Sequence, residues 1–93
     1  MSETIDALVA TIEDRKAHPR EHSYTCQLLA SGPAGILRKV GEEAVEVVIA
    51  GALEGKERLL YETADLFYHL LVMLASEDLA WEDVEAELRR RFR

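Results

Sequence analysis

The sequence predicts an all-α fold, a helical bundle built on one long antiparallel helix pair and completed by dimerisation. Three observations carry this. Apolar residues recur at three- and four-residue spacing through most of the chain, and no stretch alternates with a period of two. The breaks between these runs are short and hold helix-stopping residues, namely His18-Pro19, Ser31-Gly32-Pro33 and Gly55. The two longest runs, which meet at Gly55, are apolar on more faces than a lone hairpin can cover.

Residues 2–16 read as an amphipathic helix with Ile5, Leu8, Val9 and Ile12 on one face. Ser2 suits its N-cap, and Glu3 suits the positive end of its dipole. His18 and Pro19 stop it, because the residue before a proline is pushed out of the helical region. Residues 17–23 form a polar connector, and Ser23 then caps a short helix over residues 24–30. Ser31-Gly32-Pro33 ends that helix and makes proline the first residue of the next.

One long helix is expected from residue 33 to about residue 53. Gly41 lies inside it at a cost of about 1 kcal/mol relative to alanine. That cost implies a close approach by a neighbouring backbone or a ligand, or else a tolerated accident. After Gly55 the second long helix covers residues 56–76, and so short a link makes the two antiparallel neighbours. The last helix begins at Asp78 or Ala80 and carries Trp81, Val84, Leu88 and Phe92 as its apolar positions. Arg89, Arg90, Arg91 and Arg93 suit its negative end and read as a solvated terminus before they read as a phosphate contact.

A chain of 93 residues makes a single domain, residues 1–93, with a core small enough that self-association is a natural remedy. The formal charge of −7 argues against binding nucleic acid through its backbone. An acidic protein that takes a polyphosphate needs a cation between carboxylate and phosphate. Cys26 is the single cysteine, which excludes an intramolecular disulfide and a multi-cysteine zinc site. No basic-and-apolar leader opens the chain, and the most apolar run, residues 66–75, is too short to span a bilayer. A soluble, cytoplasmic protein with no membrane partner is the expectation.

Charge falls where it is expensive only in the two long helices. On a helical wheel Lys39, Glu42, Glu43 and Glu46 share about 100° of arc, flanked by Val45, Ile49 and Leu53. Leu37, Val40, Ala44, Val47 and Val48 take the opposite half, so the helix reads as otherwise buried. In the second helix Glu62, Asp65 and His69 share about 60°, with Arg58 in the same arc. Antiparallel packing lets both arcs face one space. Converging carboxylates raise one another's pKa unless a counter-charge is supplied.

Oxygen donors without a thiolate favour Mg2+, with Mn2+ as the alternative. Magnesium is usually shared between carboxylates and phosphates, which points to a phosphate ester or anhydride and to a metal-bound water as nucleophile. Either acidic pair alone reads as solvated surface, with Lys39 and Glu43 as a surface ion pair. Both together, each with apolar flanks, favour a metal site. His69 takes a supporting role at most, and a di-iron centre lacks its paired Glu-x-x-His.

These residues bring a resemblance. Glu43, Glu46, Glu62 and Asp65 match the Glu-x-x-Glu and Glu-x-x-Asp marks of the all-α nucleoside triphosphate pyrophosphohydrolases, the MazG-like group. Within that superfamily the chain resembles the phosphoribosyl-ATP pyrophosphohydrolase family. The match rests on Ser23-Tyr24-Thr25 with Leu28-Leu29, on Gly32-Pro33 leading to residues 39–46, on Ala64-Asp65-Leu66 with Tyr68-His69, and on residues 79–84.

The resemblance implies magnesium-dependent cleavage between the α and β phosphates of 1-(5-phosphoribosyl)-ATP, in the second step of histidine biosynthesis. It implies Glu43, Glu46, Glu62 and Asp65 as metal ligands, with Glu42 and Glu43 at the catalytic position, where Glu42 orients or deprotonates the attacking water or is a further ligand. Lys39 is implied as a phosphate-binding point charge, with Ser23 and Thr25 as phosphate contacts at a helix start. Arg15, Lys16 and Arg20 are weaker phosphate candidates, and plain surface charge is the simpler reading of each. A homodimer is also implied. In the family a cyclohydrolase is often fused ahead of this domain; here the chain starts directly with the first helix and its one cysteine leaves no zinc site for that chemistry, so the stand-alone form is expected. Two rivals stay open: a housekeeping nucleoside triphosphate pyrophosphohydrolase, and a non-enzymatic helical dimer that serves as a binding module.

Overall fold

The structure, a computed structural model, describes residues 2–92. Arg93, placed by the sequence in the terminal arginine cluster, lies outside them. The described residues form α1 (Glu3–Ala17), α2 (Tyr24–Ala30), α3 (Gly32–Ile49), α4 (Lys56–Ser76) and α5 (Trp81–Arg91), with no strand. No helix among them is long and apolar enough to cross a membrane.

The helix ends follow local chemistry. Ser2 Oγ accepts the Ile5 N–H at 3.2 Å, and Ser23 Oγ accepts that of Cys26 at 3.1 Å, so both serines cap as their positions imply. The turn between α2 and α3 is made by Gly32 at φ 76°, a conformation that an L side chain would strain. The last helix starts after Ala80, whose N–H donates to Asp83 Oδ2 at 2.8 Å. Asp78 is not its start: it holds φ 58° in the preceding turn and accepts from Lys16 Nζ at 2.6 Å.

The long helix stays α-helical only to Ile49 and widens into a π-turn over Ala50–Glu54. Gly55, at φ 94° and ψ 174°, then reverses the chain into α4. α3 and α4 form the antiparallel hairpin that the short link requires. The apolar core lies at the far end of the hairpin from the π-turn, where Ile12 of α1, Leu28 of α2 and Ile36 of α3 meet Leu71, Val72, Leu74 and Ala75 of α4. Trp81 anchors α5 by an edge contact with the Phe67 ring at 4.9 Å.

One expectation is reversed. In α3 it is Glu43, with Ile36, that is buried, while Leu37, Val45, Val48 and Ile49, with Leu53 of the π-turn, are exposed. A single copy of α4 covers one face of α3, and that face is the acidic one. Gly41 stands in the exposed stripe between Leu37 and Val45, and a Cβ there would meet nothing within 4 Å. No described residue of this chain thus supplies the close neighbour that was one of the two readings of Gly41.

Candidate active site

Between the apolar core and the π-turn, the facing surfaces of α3 and α4 are acidic. Glu43 and Glu46 lie one turn apart on α3, as Glu62 and Asp65 do on α4. Each offers a carboxylate oxygen, and these four atoms all lie within 4.8 Å of one another. Both of the predicted arcs thus converge on one space.

The electrostatics of this space are unfavourable as they stand. Glu43 and Glu62 are each only 5% exposed, and Glu43 Oε2 and Glu62 Oε1 are buried without a hydrogen-bond partner. Burial, reinforced by the neighbouring Asp65, pushes the Glu43 carboxyl above the ordinary carboxylate range. Burial and the neighbouring Glu46 do the same to Glu62, against the opposing pull of Arg58. Two orphaned oxygens in an oxygen-only cluster are what a hard divalent cation satisfies, so the residues fit Mg2+.

Two cations stand beside the cluster. Lys39 Nζ lies 3.5 Å from Glu43 and 3.6 Å from Glu42. Arg58 Nη2 donates to Glu62 Oε2 at 2.7 Å. Glu42 is exposed, faces Lys39 and Arg38, and is not one of the four clustered carboxylates.

His69 supports the site from beneath. Its Nδ1 lies 2.8 Å from the Asp65 carbonyl, which can only accept, so Nδ1 carries the proton. Nε2 is then the acceptor for the Tyr24 hydroxyl at 3.0 Å. Although His69 groups with Glu43 and Asp65 in space, both its nitrogens are engaged and neither is left for a cation.

Thr25 Oγ1 pairs with the Tyr68 hydroxyl, a second tie between α2 and α4, and Ser23 is occupied as a cap. The sequence pattern did not mark Tyr24 as a tie to the site, since it precedes any periodic apolar face. The surface reading suits Arg15, Lys16 and Arg20: the arginines pair with Asp14, and Lys16 pairs with Asp78.

A helical hairpin that brings four carboxylates face to face, two of them buried with unpaired oxygens, defines an all-α protein with a centre fit to hold a cation. The family model for phosphoribosyl-ATP pyrophosphohydrolase matches residues 5–92. A phosphoribosyl-ATP pyrophosphatase of Metallosphaera sedula is 48% identical over the whole of both chains. One of Geotalea daltonii is 51% identical over 95% of this chain and 83% of its own. One of Geobacter sulfurreducens is 52% identical over 99% and 88%. The chain belongs to the phosphoribosyl-ATP pyrophosphohydrolase family, and it is an enzyme of the hydrolase class.

Proposed function

We propose that this protein hydrolyses 1-(5-phosphoribosyl)-ATP to 1-(5-phosphoribosyl)-AMP and pyrophosphate, the second step of histidine biosynthesis, in a magnesium-dependent reaction. The observation that carries the reading is the near full-length match to relatives that bear the name of that activity. The acidic cluster supports it, because it supplies the donor set that phosphoanhydride chemistry requires.

Glu43, Glu46, Glu62 and Asp65 hold the cation. When bound, Mg2+ neutralises phosphate charge and polarises the phosphoryl oxygens; Mn2+ substitutes for it. Glu42, exposed beside the cluster, orients or deprotonates water, with Glu43 sharing the catalytic position. Lys39 gives a phosphate oxygen a point charge. Ser23 and Thr25 lie at the start of α2 and are the proposed phosphate contacts, a role that requires exchanging their present partners, the Cys26 N–H and the Tyr68 hydroxyl; the Tyr24 and Tyr68 ties hold that start against α4.

The protein works as a cytoplasmic homodimer. Leu37, Val45, Val48 and Ile49 of α3 and Leu53 of the π-turn, with Leu60 and Tyr61 of α4, form apolar surface that a second copy would cover. Gly41, inside that stripe, would let the helices approach closely.

The test is complementation of a histidine-requiring strain that lacks this step, with Glu46→Gln as control, beside turnover of phosphoribosyl-ATP against ordinary nucleoside triphosphates. Growth restored only by the unaltered protein is expected. Faster turnover of the ordinary triphosphates would favour the housekeeping enzyme instead.

A further inference from the structure

Toward the π-turn the hairpin opens into a cavity of about 280 Å3 lined by Glu46, Ile49, Glu54, Arg58 and Glu62. Glu46 and Glu62 also belong to the carboxylate cluster, so the cavity continues directly from it. Three carboxylates alone would repel a phosphate. Arg58 is the one cation among these lining residues.

Its guanidinium is held on three sides. Nη2 donates to Glu62 at 2.7 Å, Nε lies 3.9 Å from Glu54 Oε1, and Cζ stands 4.5 Å from the centre of the Tyr61 ring. Five N–H donors in a rigid fork leave several unused after the Glu62 bond. The side chain is 51% exposed, so the unused donors are accessible.

Position along the hairpin gives this cation a distinct task. Lys39 precedes Glu43 by four residues, and Arg58 precedes Glu62 by four. Because Glu43 faces Asp65 and Glu46 faces Glu62, the helices run opposite ways and the two cations bracket the cluster from its two ends. A polyphosphate laid across the cluster therefore has a cation at either side.

We propose that Arg58 binds the pyrophosphate portion of the substrate, at the end of the cluster opposite Lys39. The inference rests on the reading of the chain as a phosphoribosyl-ATP hydrolase. With the attack taken to fall on the α phosphorus, a water oxygen bonds there and a water proton passes to the base. The bridging bond breaks, and its electron pair leaves on pyrophosphate. Negative charge builds on the departing group, where a permanently charged planar fork can take two oxygens at once. The end with Arg58 opens to solvent, which suits release.

The test compares the unaltered protein with Arg58→Gln and Arg58→Lys. Calorimetry measures binding of pyrophosphate with Mg2+ and of Mg2+ alone, and kinetics measure inhibition by each product. Arg58→Gln should weaken pyrophosphate binding and inhibition by about tenfold or more, as expected for a lost charge-assisted contact. Inhibition by phosphoribosyl-AMP should stay unchanged, affinity for Mg2+ alone reports the loss of the Glu62 partner separately, and Arg58→Lys should recover part of the loss in pyrophosphate binding. Unchanged pyrophosphate binding, equal weakening of both products, or a shift confined to Mg2+ affinity would overturn the proposal; the last would make Arg58 a counterion of Glu62 only. Failure of the functional reading shows separately, as an unaltered protein that does not hydrolyse phosphoribosyl-ATP.

Discussion

The Tyr24 hydroxyl donates to Nε2 of His69 at 3.0 Å and ties the first residue of α2 to a ring that is 3% exposed. The same ring donates from Nδ1 to the carbonyl of Asp65, one of the four clustered carboxylate residues. A single hydrogen-bond chain thus runs from the start of α2, through the buried imidazole, to the backbone of the acidic cluster. Tyr24→Phe keeps the ring and leaves Nε2 buried without its donor, at a cost of about 1–3 kcal/mol. Denaturant unfolding should read that loss. Turnover of phosphoribosyl-ATP should fall with it, because α2 loses its register against the carboxylates.

Glu62→Gln removes one buried charge from a crowded site while keeping its shape. Without divalent cations the variant should melt at a higher temperature than the parent. It should also be inactive, and Mg2+ should no longer raise its melting temperature, whereas ligand binding to the folded parent should do so. A variant that retains activity would remove Glu62 from the site.

The raised Glu43 and Glu62 carboxyls make a signed pH prediction. Both bind protons more readily folded than unfolded, so their contribution is fully present below the ordinary carboxyl value of 4.5 and is lost as pH rises through the raised folded values. Metal-free protein should therefore gain stability as pH falls from neutral toward that value. Below it the trend should reverse. Asp78, held low by its bond to Lys16, and Glu87, held low by Arg90 and Arg91, stabilise the fold only while ionised. Thermal melts across this range, in chelator, should show a maximum on the acid side of neutrality, and saturating Mg2+ should flatten its neutral limb.

Val48 stands in the uncovered apolar stripe of α3. Val48→Glu should convert a dimer into monomer in sedimentation experiments at micromolar concentration while leaving the helical signal of the chain intact. An unaltered protein that sediments as a monomer would leave the stripe without the proposed partner.

Ile12 is 1% exposed and carries α1 onto the core, away from the carboxylates. Ile12→Ala should cost about 2–5 kcal/mol by opening a cavity. Affinity for Mg2+, measured below the melting transition, should be unaffected, which separates fold support from site chemistry.

The helices, their serine caps and the two acidic pairs were legible in the sequence because each depends on near neighbours. Hydrophobic period, a serine before an apolar run, and acidic residues one turn apart are all set within a few positions. The π-turn at Ala50–Glu54 and the left-handed Asp78 were not, since nothing in their local composition separates them from an ordinary helix end and an ordinary N-cap.

By itself, then, the sequence determined an all-α hairpin with paired acidic arcs, and the resemblance it carries led to the family. Only the tertiary structure decided that Glu43 and Glu62 are more buried than Val48 or Leu53, that His69 has both nitrogens engaged, and that Arg58 and Lys39 stand at opposite ends of one cluster. The physical reason is rotation. A helix's own sequence sets which residues share a face, but which face turns inward depends on the neighbour that covers it.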